Sequence, residues 1–170
     1  MRPEKIVAPD VDETPRAREL PRDYARRIAL AKARAVSEIS PASVILAADT
    51  VVAVGRRILP KAETEEQARA CLALLSGRRH RVLTAVVVAT AQPGGAPVLR
   101  ERLVESTVTF ARLSQAEIDT YIETGEWRGK AGGYGIQGQA ARFIRFLAGS
   151  YSGVVGLPLH ETAKLLVGWA

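Results

Sequence analysis

The stretch Val44–Val54, which reads VILAADTVVAV, is an apolar run with a single acid, Asp49, at its centre. A run rich in valine that ends at a glycine predicts a buried β-strand. A buried carboxylate without a partner costs several kcal/mol or shifts its pKa until it is neutral. Asp49 therefore needs a cation, either a metal ion or a basic side chain. The run alone leaves two interpretations open: a salt-bridged structural acid, or an acid used in chemistry.

Length and composition predict one globular domain over residues 1–170. A chain of 170 residues can build one core but is short for two domains. Hydrophobic residues make up 47%, and no apolar run approaches the length of a membrane-spanning helix. The single cysteine, Cys71, excludes an intrachain disulfide, and with two histidines it cannot complete a zinc site. No apolar signal segment follows Met1, so we expect a cytoplasmic protein.

The net charge of +6 raises the question of nucleic-acid binding, because a basic surface attracts phosphates. The basic residues are scattered, and aromatic residues are only 5% of the chain, so stacking platforms are scarce. A small polyphosphate ligand explains the positive charge equally well. We therefore expect no specific nucleic-acid partner.

Periodicity and capping signals predict alternating helices and strands after an extended, proline-containing arm that carries an acidic cluster at residues 10–14. Thr64 with Gln67 and Ser114 with Glu117 have the spacing of capping boxes, each at the start of a helix. The predicted helices span about residues 21–39, 64–76, 114–122 and 158–167, and the predicted strands span 44–54, 58–59, 80–90, 98–110 and 142–147.

Two lysines occupy unusual positions. Lys32 falls in the middle of the apolar stripe of the first predicted helix, among Tyr24, Ile28, Val36 and Ile39. Its ammonium must either reach solvent along the helix edge or meet an anion. Lys61 follows the short second strand, where the chain turns towards the next helix.

Residues 130–138, KAGGYGIQG, form the most unusual stretch of the chain. Four glycines allow the backbone to approach a ligand closely and permit positive φ. A glycine-rich hairpin without ligand contacts is the alternative. Gln137 is the amide side chain within this stretch, and residues 149–158 form a second loop with glycines, Ser150 and Ser152.

These residue types together suit the hydrolysis of a polyphosphate. The candidate set is two carboxylates, two lysines, one amide and three hydroxyls: Glu13, Asp49, Lys32, Lys61, Gln137, Thr50, Ser150 and Ser152. Carboxylates hold a hard divalent cation, and lysines add positive charge at phosphoryl oxygens. One carboxylate can also accept the proton of an attacking water. The P-loop motif is absent from the sequence.

Six segments in matching order resemble the Maf family of nucleoside triphosphate pyrophosphatases. They are residues 10–15 (DVDETP), 30–35 (LAKARA), 48–52 (ADTVV), 76–84 (SGRRHRVLT), 130–138 (KAGGYGIQG) and 149–159 (GSYSGVVGLPL). The resemblance implies an α/β Maf/Ham1 (ITPase-like) fold, with an elongated mixed sheet flanked by helices and a central nucleotide cleft. It also implies hydrolysis between the α and β phosphates with Mg²⁺ or another divalent cation such as Mn²⁺.

The resemblance also implies roles for individual residues. Asp49 would be the proton acceptor and a metal contact, Glu13 a second acid at the metal, and Lys32 and Lys61 phosphate-facing charges. Thr50 and Gln137 resemble the positions that set base preference in the branch acting on dTTP and UTP. A homodimer is a further expectation from the family.

Two departures from the family pattern stand out. Pro60 and Ala62 flank Lys61, where the family usually has glycine before and proline after. The family's opening strand and Ser-x-Ser-Pro-Arg-Arg turn are also missing ahead of the acidic arm, so we expect either a longer natural protein or a weakened paralogue. The alternative function is therefore a nucleotide-binding or cell-division-associated protein without turnover.

Overall fold

A five-stranded sheet forms the centre of the computed structural model, which describes residues 3–40, 43–92 and 95–167. The strands, in chain order, are β1 (Val44–Val54), β2 (Arg57–Leu59), β3 (Arg79–Gln92), β4 (Gly95–Phe110) and β5 (Ile144–Ala148). Their order across the sheet is β2-β1-β3-β4-β5. The longest pairings join β1 to β3 and β3 to β4, and both extend over most of the strand length.

Helices cover both faces of this sheet. They are α1 (Pro21–Ile39), α2 (Glu65–Leu75), α3 (Gln115–Glu123), α4 (Tyr151–Val155) and α5 (Leu159–Leu166), with a 3₁₀ helix at Gln139–Phe143. Within the described ranges, no helix has the length and apolar character needed to cross a membrane.

The predicted α/β class with flanking helices is confirmed, but the pairing differs from the expected mixed sheet. All four strand pairs in the described part of the chain are antiparallel. The tight turn at Gly55 and Arg56 is one reason, because a short turn can join only antiparallel neighbours. Gly55 has a φ of +59°, which glycine adopts without steric cost.

Alternation along β1 divides the core into two layers. Ile45, Val51 and Ala53 have odd numbers and pack against α1. Val52 faces the other layer, where α2, α3 and the glycine-rich segment enclose a cluster of aromatic side chains. Because Asp49 has the odd parity, its carboxylate points towards α1.

Most predicted boundaries are confirmed, and three are wrong, one of which is the start of β4, at Gly95 and not at residue 98. Both predicted capping boxes form, at Thr64 with Gln67 and at Ser114 with Glu117. The last strand begins at Ile144 and not at residue 142, because the 3₁₀ helix occupies the preceding residues. The segment predicted as a glycine and serine loop contains α4, whose first turn is capped by the hydroxyl of Ser150.

Candidate active site

Four charged side chains from four segments meet at one place, and we call them the carboxylate–lysine cluster: Glu13, Lys32, Asp49 and Lys61. The Lys32 Nζ lies 2.8 Å from Glu13 Oε1 and 2.8 Å from Asp49 Oδ1. The Lys61 Nζ lies 2.5 Å from Glu13 Oε2. The cluster is thus a continuous chain of ion pairs in which acids and lysines alternate.

Asp49 and Lys32 form the buried end of this cluster. The Asp49 side chain is only 4% exposed and that of Lys32 18%. Lys32 projects from the apolar stripe of α1, next to buried Ile28 and Ala29, and meets its anions there. Of the two interpretations of this lysine, contact with an anion is therefore the observed one.

Glu13 reaches the cluster because the acidic arm is tied to α1. The Tyr24 hydroxyl donates to the Glu13 carbonyl oxygen at 2.7 Å. Arg27 donates to the Thr14 carbonyl oxygen at 3.1 Å and to both carboxylate oxygens of Glu19, at 2.6 and 2.8 Å. The sequence pattern predicts only a place in the apolar stripe for Tyr24, and it does not predict these contacts because they join positions eight to thirteen residues apart.

Lys61 is held where the glycine-rich segment packs against β1. It forms an isolated antiparallel bridge with Ala131, and the Gly132 N–H donates to the Pro60 carbonyl oxygen at 3.0 Å. A Cβ on Gly132 would lie 2.9 Å from Val52 Cγ1, and its φ of +68° also requires glycine. Close packing on the protein itself is therefore one reason for the glycines in this segment.

Burial and ion pairing act against each other on the pKa values in the cluster. For Asp49, burial dominates over the Lys32 contact and raises the pKa above its ordinary value. For Glu13, burial also raises the pKa, but hydrogen bonds from Lys32 and Lys61 outweigh it and leave the pKa lowered. Burial of Lys32 lowers its pKa, but the two carboxylates outweigh that effect and leave it raised. Burial thus favours the protonated form of Asp49, and the two lysines favour the charged form of Glu13.

Thr50 and Gln137 are not in contact with the cluster. Thr50 follows Asp49 but points to the opposite face, where its hydroxyl lies 2.9 Å from that of Thr84. Gln137 is exposed, and no hydrogen bond of its side chain is recorded in the described ranges. Ser150 and Ser152 are used structurally, since they accept hydrogen bonds from the Gly153 and Leu159 N–H groups at 3.0 and 3.1 Å.

Two surface cavities lie at the end of the sheet near the β1–β2 turn, with volumes of about 320 and 280 Å³. Both are lined in part by Arg81, and neither is lined by a member of the carboxylate–lysine cluster. Arg81 is already engaged with the Gly55 carbonyl oxygen at 2.7 Å. The carboxylate–lysine cluster is the candidate site and the cavities are not, because buried charged groups are costly to the fold and are common at functional sites.

The donor set of the cluster suits a magnesium-type ion that completes its coordination with ligand oxygens. Glu13 and Asp49 each have an oxygen within 2.8 Å of the same lysine nitrogen, so these oxygens are at most twice that distance apart. No group of three or more His, Cys, Asp or Glu residues able to hold a metal occurs in the part of the chain described. Magnesium commonly uses one or two carboxylates together with phosphate oxygens and water.

Fold and site together define an α/β protein with one antiparallel sheet and a buried acid–lysine cluster at the face of its first long strand. The chain belongs to the Maf family: the family model described as Maf-like protein matches residues 1–169. The resemblance from six motifs is therefore confirmed.

Curated relatives match nearly the whole chain. A protein of Gluconobacter oxydans is 59% identical over 169 residues, which cover 98% of this chain and 77% of the relative. Proteins of Novosphingobium aromaticivorans and Caulobacter vibrioides are each 58% identical, over 96% and 98% of this chain and 80% and 84% of their own lengths. All three relatives are named dTTP/UTP pyrophosphatase.

Proposed function

We propose that this protein is a nucleoside triphosphate pyrophosphatase that hydrolyses dTTP, UTP or related pyrimidine nucleotides to the monophosphate and pyrophosphate. The main support from the molecule is the carboxylate–lysine cluster, in which a buried acid is held by a lysine that also contacts a second acid. The names of relatives at 58–59% identity support the same substrate class. They do not favour the alternative of a nucleotide-binding or cell-division-associated protein without turnover.

These ion pairs are present in the ligand-free protein, and substrate binding replaces them with contacts between the lysines and the phosphates. Two acids and two lysines make the cluster neutral overall, so each charged side chain is balanced by one of opposite sign. When a triphosphate enters, the Lys32 and Lys61 ammonium groups exchange their carboxylate partners for phosphoryl oxygens. Lys61 can move most easily, since its side chain is 40% exposed.

Asp49 is the group best suited to accept the proton of the attacking water. Its burial disfavours the charged form, so its pKa is raised and the carboxylate is a stronger base than an exposed one. Removing one proton from water lets the oxygen attack phosphorus while the pyrophosphate group leaves with the electron pair of the broken P–O bond.

Glu13 and Asp49 would hold the divalent cation, Mg²⁺ or Mn²⁺, once the lysines have moved. The bound cation supplies charge neutralisation at the phosphate oxygens. Thr50 and Gln137 would contact the base, because a uracil or thymine edge presents both donor and acceptor groups that a hydroxyl and an amide can complement. The single domain, the homodimer and the cytoplasmic location stay predictions.

Product identity tests the proposal. We expect the purified chain with dTTP and Mg²⁺ to release dTMP and pyrophosphate in equal amounts, and chelation of the metal to stop the reaction. Release of dTDP and inorganic phosphate would contradict the assignment, and so would equal turnover with and without the chelator.

A further inference from the structure

A short chain of hydrogen bonds fixes the direction in which the Thr50 hydroxyl proton points. The Thr84 hydroxyl donates to the Gly153 carbonyl oxygen at 2.7 Å, and a carbonyl oxygen can only accept. Thr84 has one hydroxyl proton, and this bond uses it. The contact of 2.9 Å between the Thr84 and Thr50 hydroxyls therefore contains the proton of Thr50.

The Thr50 hydroxyl is consequently left with lone pairs only on its free side. A hydroxyl carries one proton and two acceptor sites, and its proton is directed inward to Thr84. Thr84 is 1% exposed, so it cannot exchange Gly153 for water as its partner. No donor to the Thr50 oxygen is recorded among residues 3–40, 43–92 and 95–167.

Open space borders this oxygen. A Cβ placed on Gly156 would have the Thr50 Oγ1 at 3.9 Å, and apart from its own chain neighbours no other described residue would have an atom within 4 Å of it. Gly156 also has a φ of +133°, which disfavours any side chain there. The structure thus leaves an unobstructed side from which a ligand group can reach the lone pairs.

The pyrimidine bases differ at the atom that such an acceptor distinguishes. Thymine and uracil carry a proton on ring nitrogen N3, whereas cytosine presents a lone pair at N3. An oxygen that can only accept a hydrogen bond pairs with N3–H of thymine or uracil, and it is repelled by the N3 lone pair of cytosine. An unpaired polar contact in a partly buried site is costly. Thr50 and Asp49 lie on opposite faces of β1, and within the described ranges β2 pairs only with Val52, Ala53 and Val54, so a nucleotide that contacts both residues would pass the open edge of β1.

We propose that Thr84 is a positioning residue for base selection: it orients the Thr50 hydroxyl so that this oxygen accepts the N3–H of an imide base. This inference rests on the proposed function and assigns a role to a residue that neither the motifs nor the charge cluster singled out. The two hydroxyls meet because the register between β1 and β3 pairs Thr50 with Thr84.

The test compares two variants. Thr84→Val removes the hydroxyl oxygen that accepts the Thr50 proton, and Thr84→Ser keeps a hydroxyl at that position. For each protein we measure kcat/KM for dTTP and dCTP. We expect the preference for dTTP over dCTP to fall by about tenfold in Thr84→Val, because Thr50 is then free to donate, and to be retained in Thr84→Ser. Thr162→Val is the matched control, since Thr162 is a buried threonine on α5 whose hydroxyl oxygen has no hydrogen-bond partner among the described residues.

A binding measurement separates failure of this inference from failure of the proposed function. With the Asp49→Asn variant we compare the affinities for dTTP and for N3-methyl-dTTP, which lacks the N3 proton. Weaker binding of the methylated nucleotide without turnover by the unsubstituted chain would support the role of Thr50 and contradict the pyrophosphatase assignment. Equal binding of the two nucleotides, or an unchanged preference in Thr84→Val, would overturn the inference, even if turnover is normal.

Discussion

One lysine nitrogen connects the two acids of the candidate site. Lys32 Nζ lies at the same distance, 2.8 Å, from Glu13 and from Asp49, and Asp49 is the most buried member of the cluster. A buried ion pair is not by itself strong evidence of stability, because desolvation offsets the attraction. Removing one partner is different, since the remaining charge stays buried and unpaired.

Lys32→Met is therefore expected to destabilise the protein by about 3 kcal/mol at neutral pH. Urea unfolding gives the free energy, and Lys32→Met combined with Asp49→Asn should recover part of the loss because the buried charge is then gone. Arg69→Met is the control, because it breaks exposed pairs with Glu65 and Asp119 on the surface and should cost much less. Equal losses in the two single variants would contradict this account of Asp49.

His80 provides a second prediction at the scale of one residue. It is 2% exposed, its Nε2 lies 2.8 Å from the Tyr134 hydroxyl, and burial lowers its pKa from 6.5 to about 4. Between these two values the unfolded chain binds a proton that the folded chain does not, so the contribution of neutral His80 to stability is lost as pH falls through that window. The slope from this group is at most about 1.4 kcal/mol per pH unit.

Urea unfolding of the unsubstituted chain and of His80→Gln across this pH range measures the effect. We expect a shallower pH dependence in His80→Gln, whatever its absolute stability. A slope unaffected by His80→Gln would show that burial does not suppress protonation at this position.

Among the larger elements, the acidic arm is positioned by α1. The described residues of the arm form no helix or strand, and Tyr24 and Arg27 donate to its carbonyl oxygens from one side of the helix. Glu13 therefore reaches both lysines only because the helix surface fixes the backbone that carries it. The arm and α1 act as one unit in placing the second carboxylate.

Tyr24→Phe tests whether α1 positions the arm, since it removes the hydrogen bond to the Glu13 carbonyl oxygen and keeps the ring in the core. We expect turnover of dTTP to fall by about tenfold through a misplaced Glu13, with a stability loss of about 1 kcal/mol. Tyr151→Phe, which changes an exposed tyrosine, is the matched control and should leave turnover intact. If both variants turn over dTTP equally, Tyr24 does not position the arm.

Local signals in the sequence predicted the elements well, and contacts between distant segments were harder to predict. The strand around Asp49 and both capping boxes follow from residues within one window of the chain. The short helix α4 was missed, because glycines and serines suggested a loop and only the Ser150 cap favours a helical turn. Ile39 was assigned to the buried stripe but is 63% exposed, since it lies in the last turn of α1.

The members of the carboxylate–lysine cluster could be predicted because charge inside an apolar pattern requires a partner. Which charges pair could not be predicted. Glu13 contacts lysines 19 and 48 residues away along the chain, and only the folded backbone brings them together. The Thr50–Thr84 pair depends in the same way on the register between β1 and β3.

At the scale of the whole molecule, the sheet holds the buried acid on one face and the hydroxyl of the next residue on the other. Helix α1 and the acidic arm complete the first face, and α4 with the glycine-rich segments lies on the second. A nucleotide that contacts both residues would extend from one side of β1 to the other. The proposed reaction therefore depends on Asp49 as the acid that accepts the proton of water.

The most direct measurement is the rate of pyrophosphate release from dTTP by the unsubstituted chain, by Asp49→Asn and by Asp119→Asn. Asp119 is an aspartate on α3 paired with Arg69, so its substitution is a matched change away from the cluster. We predict a loss of at least about a hundredfold in Asp49→Asn and little change in Asp119→Asn. Pyrophosphate release by Asp49→Asn at the rate of the unsubstituted chain would contradict the account.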